Sequence, residues 1–459
     1  MVKIKVPHTL ILLLYIMIGA LILTWVVPAG EFQRSINDIG QTVVVPGTYS
    51  TVDDAAKLSP LALLMVIPQA LGDAQGVIFF VLLIGGVMGI LRATGMLDAV
   101  IGLLLRKFAD KTGWLILGGM LTFGIFSALI GVAEEYLIFV AMLVALCRAL
   151  KLDGITAMGI LIVGYGIGYG LSLFNPFTLL VAQAIAEVPP ASGLWYRLAL
   201  WPVLLAIGFH HVYRYAKMVA ADPSTSLLAD LQQSGSVAQV SDYPALNKRH
   251  KFILLGFVIT LSLLVWGIKE HGWYLVELSA LFLGFGLYAA LVAGINSSDA
   301  ANRFIEGAAE LTGTAILIGF ARSIAMLMEQ GQILDTVIYY LAMPVEALGA
   351  HFGAVAMLFI QSILNFFIPS GSGQAFVTMP IMVPIADTAG IGRQVAVLAF
   401  QMGDGLMNMI VPTNAVLMGI LGLAGVPYER WFKFIAPLML KLLLACAMSM
   451  IIAVSIGYS

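Results

Sequence analysis

Charge is scarce in this chain. Only 10% of its 459 residues are Asp, Glu, Lys or Arg, against about 25% in a typical soluble domain, and 61% are hydrophobic. An ordinary soluble globular protein is excluded. The net charge of −2 points to no partner, and nucleic acid is not expected among them. Cysteine is limited to Cys147 and Cys446, both inside apolar runs, so neither a disulfide framework nor a thiolate metal site is expected. His210 and His211 sit beside Arg214 and Lys217, with no Cys or acid at ligand spacing. No Gly-rich loop ending in Lys-Ser/Thr is present, which excludes nucleotide hydrolysis by this chain and leaves no role for an ATPase subunit. No cofactor is expected. No small-residue cleavage site stands out after the first apolar run, so a removable signal is not expected.

What is present is a series of long, continuous apolar runs, with mean hydropathy +1.00. Their length fits membrane-spanning helices, and they lack the alternation of a transmembrane β-barrel. The fold class expected is an all-α polytopic membrane protein. Lys3 and Lys5 precede the first run (Thr9 to Val27), which places the N-terminus in the cytoplasm. A polar, turn-rich segment (Ala29 to Ser59) follows, then a short apolar piece (Pro60 to Leu71), a span (Gly76 to Arg92) and an interfacial helix (Leu97 to Asp110). The runs Trp114 to Ile130 and Leu137 to Leu150 flank a polar tip at 131–136, with Lys111 at the entry and Arg148 and Lys151 at the exit. Two arms returning to one side describe a re-entrant hairpin. Ile155 to Glu187 is a crossing broken at Asn175-Pro176, and Trp195 to Lys217 comes back in.

The polar stretch from Met218 to Lys251 reads as a cytoplasmic linker and Phe252 to Ile268 as a connecting span. The pattern then recurs upside down. Trp273 to Gly294 and Leu311 to Glu329 cross, and Ile333 to Leu348 resembles the earlier interfacial helix. A second hairpin has its tip at 369–374, and Val395 to Gly425 is broken at Pro412-Thr413-Asn414 before a last span (Phe432 to Ala453). Of the 23 Lys and Arg, five fall outside (Arg34, Lys57, Arg197, Lys269, Arg393) and two within spans (Arg322, Lys441); the rest are cytoplasmic, as the positive-inside rule requires. An offset of about 237 residues pairs Asp98 with Asp335, Ser127 with Asn365, Asn175 with Thr413, and Val188-Pro189 with Val426-Pro427. Two inverted-topology repeats are therefore expected, 1–217 and 273–459, joined by the linker 218–251 and the span 252–272. In the first, scaffold helices (1–110) precede a hairpin and broken helix (111–190); in the second, the hairpin is 350–391 and the broken helix 392–427.

Polar, helix-breaking backbone at membrane depth is tolerated only where it lines an enclosed site, and matched breaks in two halves point to a transporter's binding site. In the second tip, Ser370, Gly371, Ser372, Gly373 and Gln374 follow Pro369; glycines allow tight turning, and helix ends there expose amides and carbonyls. A plain loop between two spans would put the following charges on the wrong side. Glu134 and Glu135, adjacent between apolar runs, cost several kcal/mol unless paired, hydrated or protonated. They read as a cation site, or alternatively as an interfacial acidic turn. Asp404, Asn408 and the Thr413-Asn414 break are spaced at about one helical turn each and can face one cavity. The matching first-half stretch, Gly164 to Gly170, has no acid, and several of its glycines read equally as close-packing residues. Arg322, mid-span, needs a partner: Asp404, a substrate carboxylate, or a structural ion pair. Lys441 reads as a snorkelling residue.

Several segments also resemble the C4-dicarboxylate anaerobic carrier family. They are Lys5-Val6-Pro7-His8-Thr9, Val27-Pro28-Ala29-Gly30-Glu31-Phe32, Asn365 through Gln374, Gln401-Met402-Gly403-Asp404 and Pro412-Thr413-Asn414. The branch most similar is the one described as basic amino acid antiporters. The resemblance spans nearly the whole chain and implies membership of the ion transporter superfamily. It further implies a homodimer with a scaffold domain and a mobile transport domain that moves as an elevator. Carried over, Glu134, Glu135, Asn175, Thr178, Ser370 to Gln374, Asp404, Asn408, Thr413 and Asn414 form the substrate and ion sites, with Na⁺ a candidate coupling ion. Related dicarboxylate carriers have Ser-Asn-Thr tips; here the first tip carries two acids instead.

The expected function is secondary active transport of a carboxylate-bearing small solute, a basic amino acid by its charge inventory, across the bacterial inner membrane. A C4-dicarboxylate or related organic anion, coupled to Na⁺ or H⁺, is the alternative substrate. Glu134, Glu135 and Asp404 suit an amine, and Arg322 or the tip amides a carboxylate. A channel, a membrane-embedded enzyme and a receptor are the competing classes. No enzymatic activity is expected, since the only candidate acid pair has no nearby histidine.

Overall fold

The computed structural model describes residues 9–36, 42–45, 47–53, 55, 57–108, 111–131, 133–175, 177–231, 244–271, 273 and 275–458. The helices follow the apolar runs. α1 (Thr9–Val26) is followed by two short antiparallel pairs, β1 (Gly30–Glu31) with β4 (Ser50–Thr51) and β2 (Arg34–Ile36) with β3 (Thr42–Val44). These strands lie in the segment read from sequence only as polar and turn-rich. They are held over the second half by Arg34, which donates to both carboxylate oxygens of Asp335 at 2.9 and 2.8 Å, and by Tyr49 stacked on Tyr339 at 4.1 Å. Then come α2 (Ala62–Asp73), α3 (Gln75–Ala93) and α4 (Met96–Phe108).

The first hairpin is α5 (Thr112–Ile130), a 3₁₀ turn at Glu134–Tyr136, and α6 (Leu137–Ala149). Gly131 ends α5 with φ at 74°, a left-handed cap that other residues adopt only with strain. The chain folds straight back: the Phe123 ring of α5 meets Tyr136 at 5.1 Å and Phe139 at 5.7 Å. The first broken helix is α7 (Gly154–Met158), a π turn at Gly159–Val163, α8 (Gly164–Gly170), and α9 (Leu179–Ile185) beyond the break. α10 (Leu194–Ala221) closes the half.

The second half contains α11 (Lys248–His271), α12 (Leu275–Ala293), α13 (Ser297–Ala309), α14 (Thr312–Gln330) and α15 (Leu334–Ala342). The hairpin α16 (Gly349–Phe367) and α17 (Gly371–Thr388) follows, then the broken pair α18 (Arg393–Met407) and α19 (Ala415–Ala424), and α20 (Tyr428–Ser455). α3 and α14 are both 19 residues long, as are α5 and α16; each pair is separated by the same 237 residues noted in the sequence. The packing partners also match. α5 lies on α8 and α16 on α18, while α17 crosses to α9 and α6 crosses to α19. Among the described residues five helices are long and apolar enough to cross a membrane: α3, α5, α12, α16 and α20. Leu291 on α12 and Met448 on α20 point outward and are more than half exposed, as lipid-facing residues must be. The chain is a multi-pass helical membrane protein.

α13 was not anticipated. Asn296 caps it by accepting from Asp299 N at 2.9 Å. It seats Gly307 against Gly85 and Gly89 of α3, and Arg92 bonds Glu310 at 2.6 Å.

The polar stretch read as a linker is partly docked. α10 runs to Ala221 and α11 starts at Lys248, and residues 232–243 lie outside the described residues. Ser226 Oγ and Tyr215 Oη donate to Asp153 Oδ2 at 2.7 and 2.5 Å, and Thr156 N and Oγ1 to Oδ1 at 2.8 Å each. Arg430 donates to Leu227 O at 3.1 Å and to Asp230 at 2.5 Å. Asp153→Ala strands several buried donors, each costing about 1–3 kcal/mol. A clear fall in melting temperature is expected, with new protease cleavage between Leu227 and Leu231; unchanged digestion would mean that Arg430 alone holds the segment.

Candidate functional site

Each hairpin is pinned by one bond between residues nine apart. In the first, Ser127 Oγ and Tyr136 Oη meet at 3.0 Å, and Tyr136 Oη donates to Phe123 O at 2.6 Å. In the second, Asn365 Nδ2 donates to Gln374 Oε1 at 3.3 Å. Gln374 Nε2 donates to Gln361 O and Oε1 at 2.9 and 2.7 Å, and Thr378 Oγ1 to Gln361 Oε1 at 3.1 Å. The two breaks are built alike. Asn175 Oδ1 accepts from Phe177 N at 2.8 Å and Thr178 N at 3.3 Å; Asn414 Oδ1 accepts from Leu417 N at 2.8 Å. Each Asn satisfies amides that a new helix leaves open. Thr413 Oγ1 donates to Phe366 O at 2.7 Å, fastening the second break to the second hairpin. The Asn175 side chain fills the space beside Gly131, fastening the first break to the first hairpin.

These pieces converge. Asp404 is fully buried, and its Oδ1 accepts from Asn365 Nδ2 at 2.9 Å. Asn408 Oδ1 accepts from Asn414 Nδ2 at 2.8 Å. Gln401 Nε2 reaches across to the first half, donating to Tyr169 O at 2.6 Å, Thr178 Oγ1 at 3.0 Å and Ser172 Oγ at 3.1 Å. Gly371, at the second tip, lies against Thr178, the Tyr169 hydroxyl and Asp404 Oδ2; any side chain there would collide with them. α8 and α18 cross where Gly170 meets Gly405, so these glycines serve close packing. Ser370 Oγ accepts from Gly373 N at 3.4 Å at the exposed start of α17, and Ser372 and Gly373 are half-buried in the same turn.

The first tip reaches this network through one tyrosine. Glu135 is buried and its Oε2 accepts from Ala133 N at 2.9 Å. Glu134 is half-buried, and no hydrogen bond to its carboxylate from another described residue accompanies it. Tyr165 packs on Tyr136 at 5.9 Å, donates to Asn408 O at 3.4 Å, and lies within electrostatic range of both Glu134 and Asp404. Buried within the cluster, Asn365 Oδ1, Gln401 Oε1 and Asp404 Oδ2 make no hydrogen bond among the described residues, nor do Asn175 Nδ2 and Gln361 Nε2. Unpaired buried polar atoms are rare in native proteins and mark functional positions. Three of the five are oxygens, one on a carboxylate, so the cluster offers more to a cation than to an anion.

Arg322 does not join them. Its Nε donates to Asp73 at 2.6 Å, and its two terminal nitrogens to Glu329 at 3.1 and 3.3 Å. The guanidinium is held by α2 and by its own helix two turns on, so of the partners the sequence left open for Arg322 the structural ion pair is the one formed. Sequence reasoning missed Gln361, Thr378, Tyr165 and Ser172, and gave Gln401 no role. Gln361 with Asn365, and Gln374 with Thr378, are polar pairs four residues apart in apolar helices, a spacing that places both on one face.

The chain is 31% identical over 495 aligned positions to an Escherichia coli (strain K12) protein named "Putative basic amino acid antiporter YfcC", covering 98% of this chain and 97% of that one. It is 28% identical to an uncharacterized protein of Haemophilus influenzae (strain ATCC 51907 / DSM 11121 / KW20 / Rd), with the same coverage. Among solved structures, the Alcanivorax borkumensis YdaH transporter superposes with a TM-score of 0.46 at 17% identity, covering 98% of this chain and 99% of that one. The profile of the C4-dicarboxylate anaerobic carrier family matches residues 6–455, and the chain belongs to that family: it is a membrane transporter, not an enzyme.

Proposed function

We propose that this protein is a secondary active transporter of a basic amino acid, working by antiport or ion coupling across the bacterial inner membrane. The observation that carries this reading is the charge inventory. Glu134 and Asp404 both act on Tyr165, with Glu135 adjacent to Glu134 at the first tip, while Arg322, the candidate cation, is held by Asp73 and Glu329. A ligand bearing a fixed positive charge offsets the cost of burying these carboxylates. Its own carboxylate is taken by the amides of Gly371 and Ser372 at the N-terminus of α17, where the helix dipole favours an anion.

The remaining parts of the reading follow from the family and the matched halves. Residues 1–217 and 273–459 act as inverted-topology repeats, with a cytoplasmic N-terminus. The hairpins and broken helices form a transport domain that moves as an elevator against a scaffold, in a homodimer. Na⁺ is a candidate coupling ion, with Glu134, Asn175, Thr178, Asp404 and Asn414 as ligands. The family's name supports a second reading, a C4-dicarboxylate carrier. Uptake of labelled arginine and labelled succinate into proteoliposomes, with and without a Na⁺ gradient, separates the two. Arginine uptake, accelerated by preloaded lysine or ornithine, is expected; succinate uptake that arginine leaves unaffected overturns the proposal.

A further inference from the structure

Two cavities flank the start of α20. The larger, about 480 Å³, lies between α1 and the α18–α19 break and is lined by Ile16, Phe366, Met407, Ile410, Pro412 and Phe432. The smaller, about 250 Å³, is walled by Leu317 of α14 and by Met418, Leu421 and Val426. Tyr428 and Glu429 border both. Tyr428 is a fixed partition, since its hydroxyl donates to Ile410 O at 2.5 Å. Glu429 and Lys433 stand one helical turn apart, and both line the larger cavity. Neither has an ion-pair partner among the described residues, whereas Arg430 between them is held by Asp230.

The wall of the larger cavity is almost wholly aliphatic or aromatic and that of the smaller is mainly so, which disfavours water and leaves hydrocarbon as the compatible filling. The mouth carries one negative and one positive side chain, which complements neither a simple anion nor a simple cation. Two apolar slots that share Glu429, with Lys433 one turn on at the larger, match a two-chain zwitterionic lipid. We propose that this is a binding site for one phosphatidylethanolamine molecule, with an acyl chain in each cavity, the phosphate on Lys433 and the primary ammonium on Glu429. A choline headgroup has no N–H to donate to Glu429, and an anionic glycerol headgroup is repelled by it. The site stands on the cavities and the charges; only its link to transport rests on the elevator reading. In that reading the lipid sits between α1 and α14 on one side and the moving α18 and α19 on the other, with α20 at its headgroup.

Native mass spectrometry of the purified full chain, delipidated and titrated with dioleoyl phosphatidylethanolamine, phosphatidylcholine or phosphatidylglycerol, tests the site. One phosphatidylethanolamine per chain is expected to persist at roughly tenfold lower lipid concentration than the other two, as charge-assisted hydrogen bonds allow. Glu429→Gln and Lys433→Gln are each expected to reduce this to the level of phosphatidylcholine. Ile16→Trp, which fills the larger cavity without touching the charges, is expected to lower retention of all three lipids. Equal retention of the three by the wild type, or retention unmoved by the charge variants, overturns the proposal, as does displacement of the lipid by arginine. Loss of the lipid with arginine uptake intact leaves the transport reading standing, so the two fail separately.

Discussion

Proteoliposomes carrying Asp404→Asn are expected to take up labelled arginine at least about 30-fold more slowly than wild type at sub-saturating concentration. Asp404 is fully buried, one oxygen is held by Asn365 Nδ2, and the other faces Gly371, Tyr169 and Thr178 with no donor of its own. Removing one side of a buried charge pair costs about 2–5 kcal/mol, and every 1.4 kcal/mol is a factor of ten. Asparagine has the same shape and can still accept from Asn365, so the melting temperature should stay near wild type. Uptake that matches wild type would remove Asp404 from the site.

The second large effect separates two neighbours that the sequence presents as equivalent. Glu134→Gln is expected to reduce arginine uptake by about 10- to 30-fold, whereas Glu135→Gln should stay within about threefold. These magnitudes follow from charge-assisted hydrogen bonds at about 1.5–3 kcal/mol each. Glu135 already serves the tip by accepting from Ala133 N, and a glutamine amide oxygen can take over that bond. Glu134 bonds its own backbone N–H and no other described residue, and its charge reaches Tyr165 together with that of Asp404. Competition of labelled arginine uptake by unlabelled arginine in the two variants checks this. Equal losses would mean that the pair carries the charge jointly.

Those two carboxylates were visible in the sequence because adjacent acids between apolar runs are costly at membrane depth. The tips and breaks were visible for a related reason: Gly, Pro, Ser and Asn interrupt hydrocarbon-like stretches at the same interval in both halves. α13 was not visible, because thirteen residues rich in Ala, Ser and charge between two spans look like a loop. Its helix depends on the Asn296 cap and on glycines of α3 more than two hundred residues earlier. The partners of Arg322 stayed open for the same reason, since Asp73 is 249 residues away, although Glu329 lies two turns on along its own helix. The docking of Ser226 on Asp153 spans 73 residues and joins two stretches that each read as exposed. Gln361 was passed over because a single glutamine in an apolar helix signals nothing until Gln374 and Thr378 are brought beside it.

The reach of Gln401 across the molecule bears on how the chain is made. Tyr169 O, Ser172 and Thr178 receive donors from a side chain more than two hundred positions later, and α9 and α6 pack on α17 and α19. When the ribosome has delivered only the first half, the Gln401 amide is missing from this cluster, and exposing its polar groups to lipid is costly. The first hairpin and its broken helix must therefore wait, hydrated or shielded, until α18 and α19 have been synthesised. Biogenesis of this carrier is a late, single closure of both halves, and a truncated first half should be a substrate for membrane quality control and not a stable folding unit.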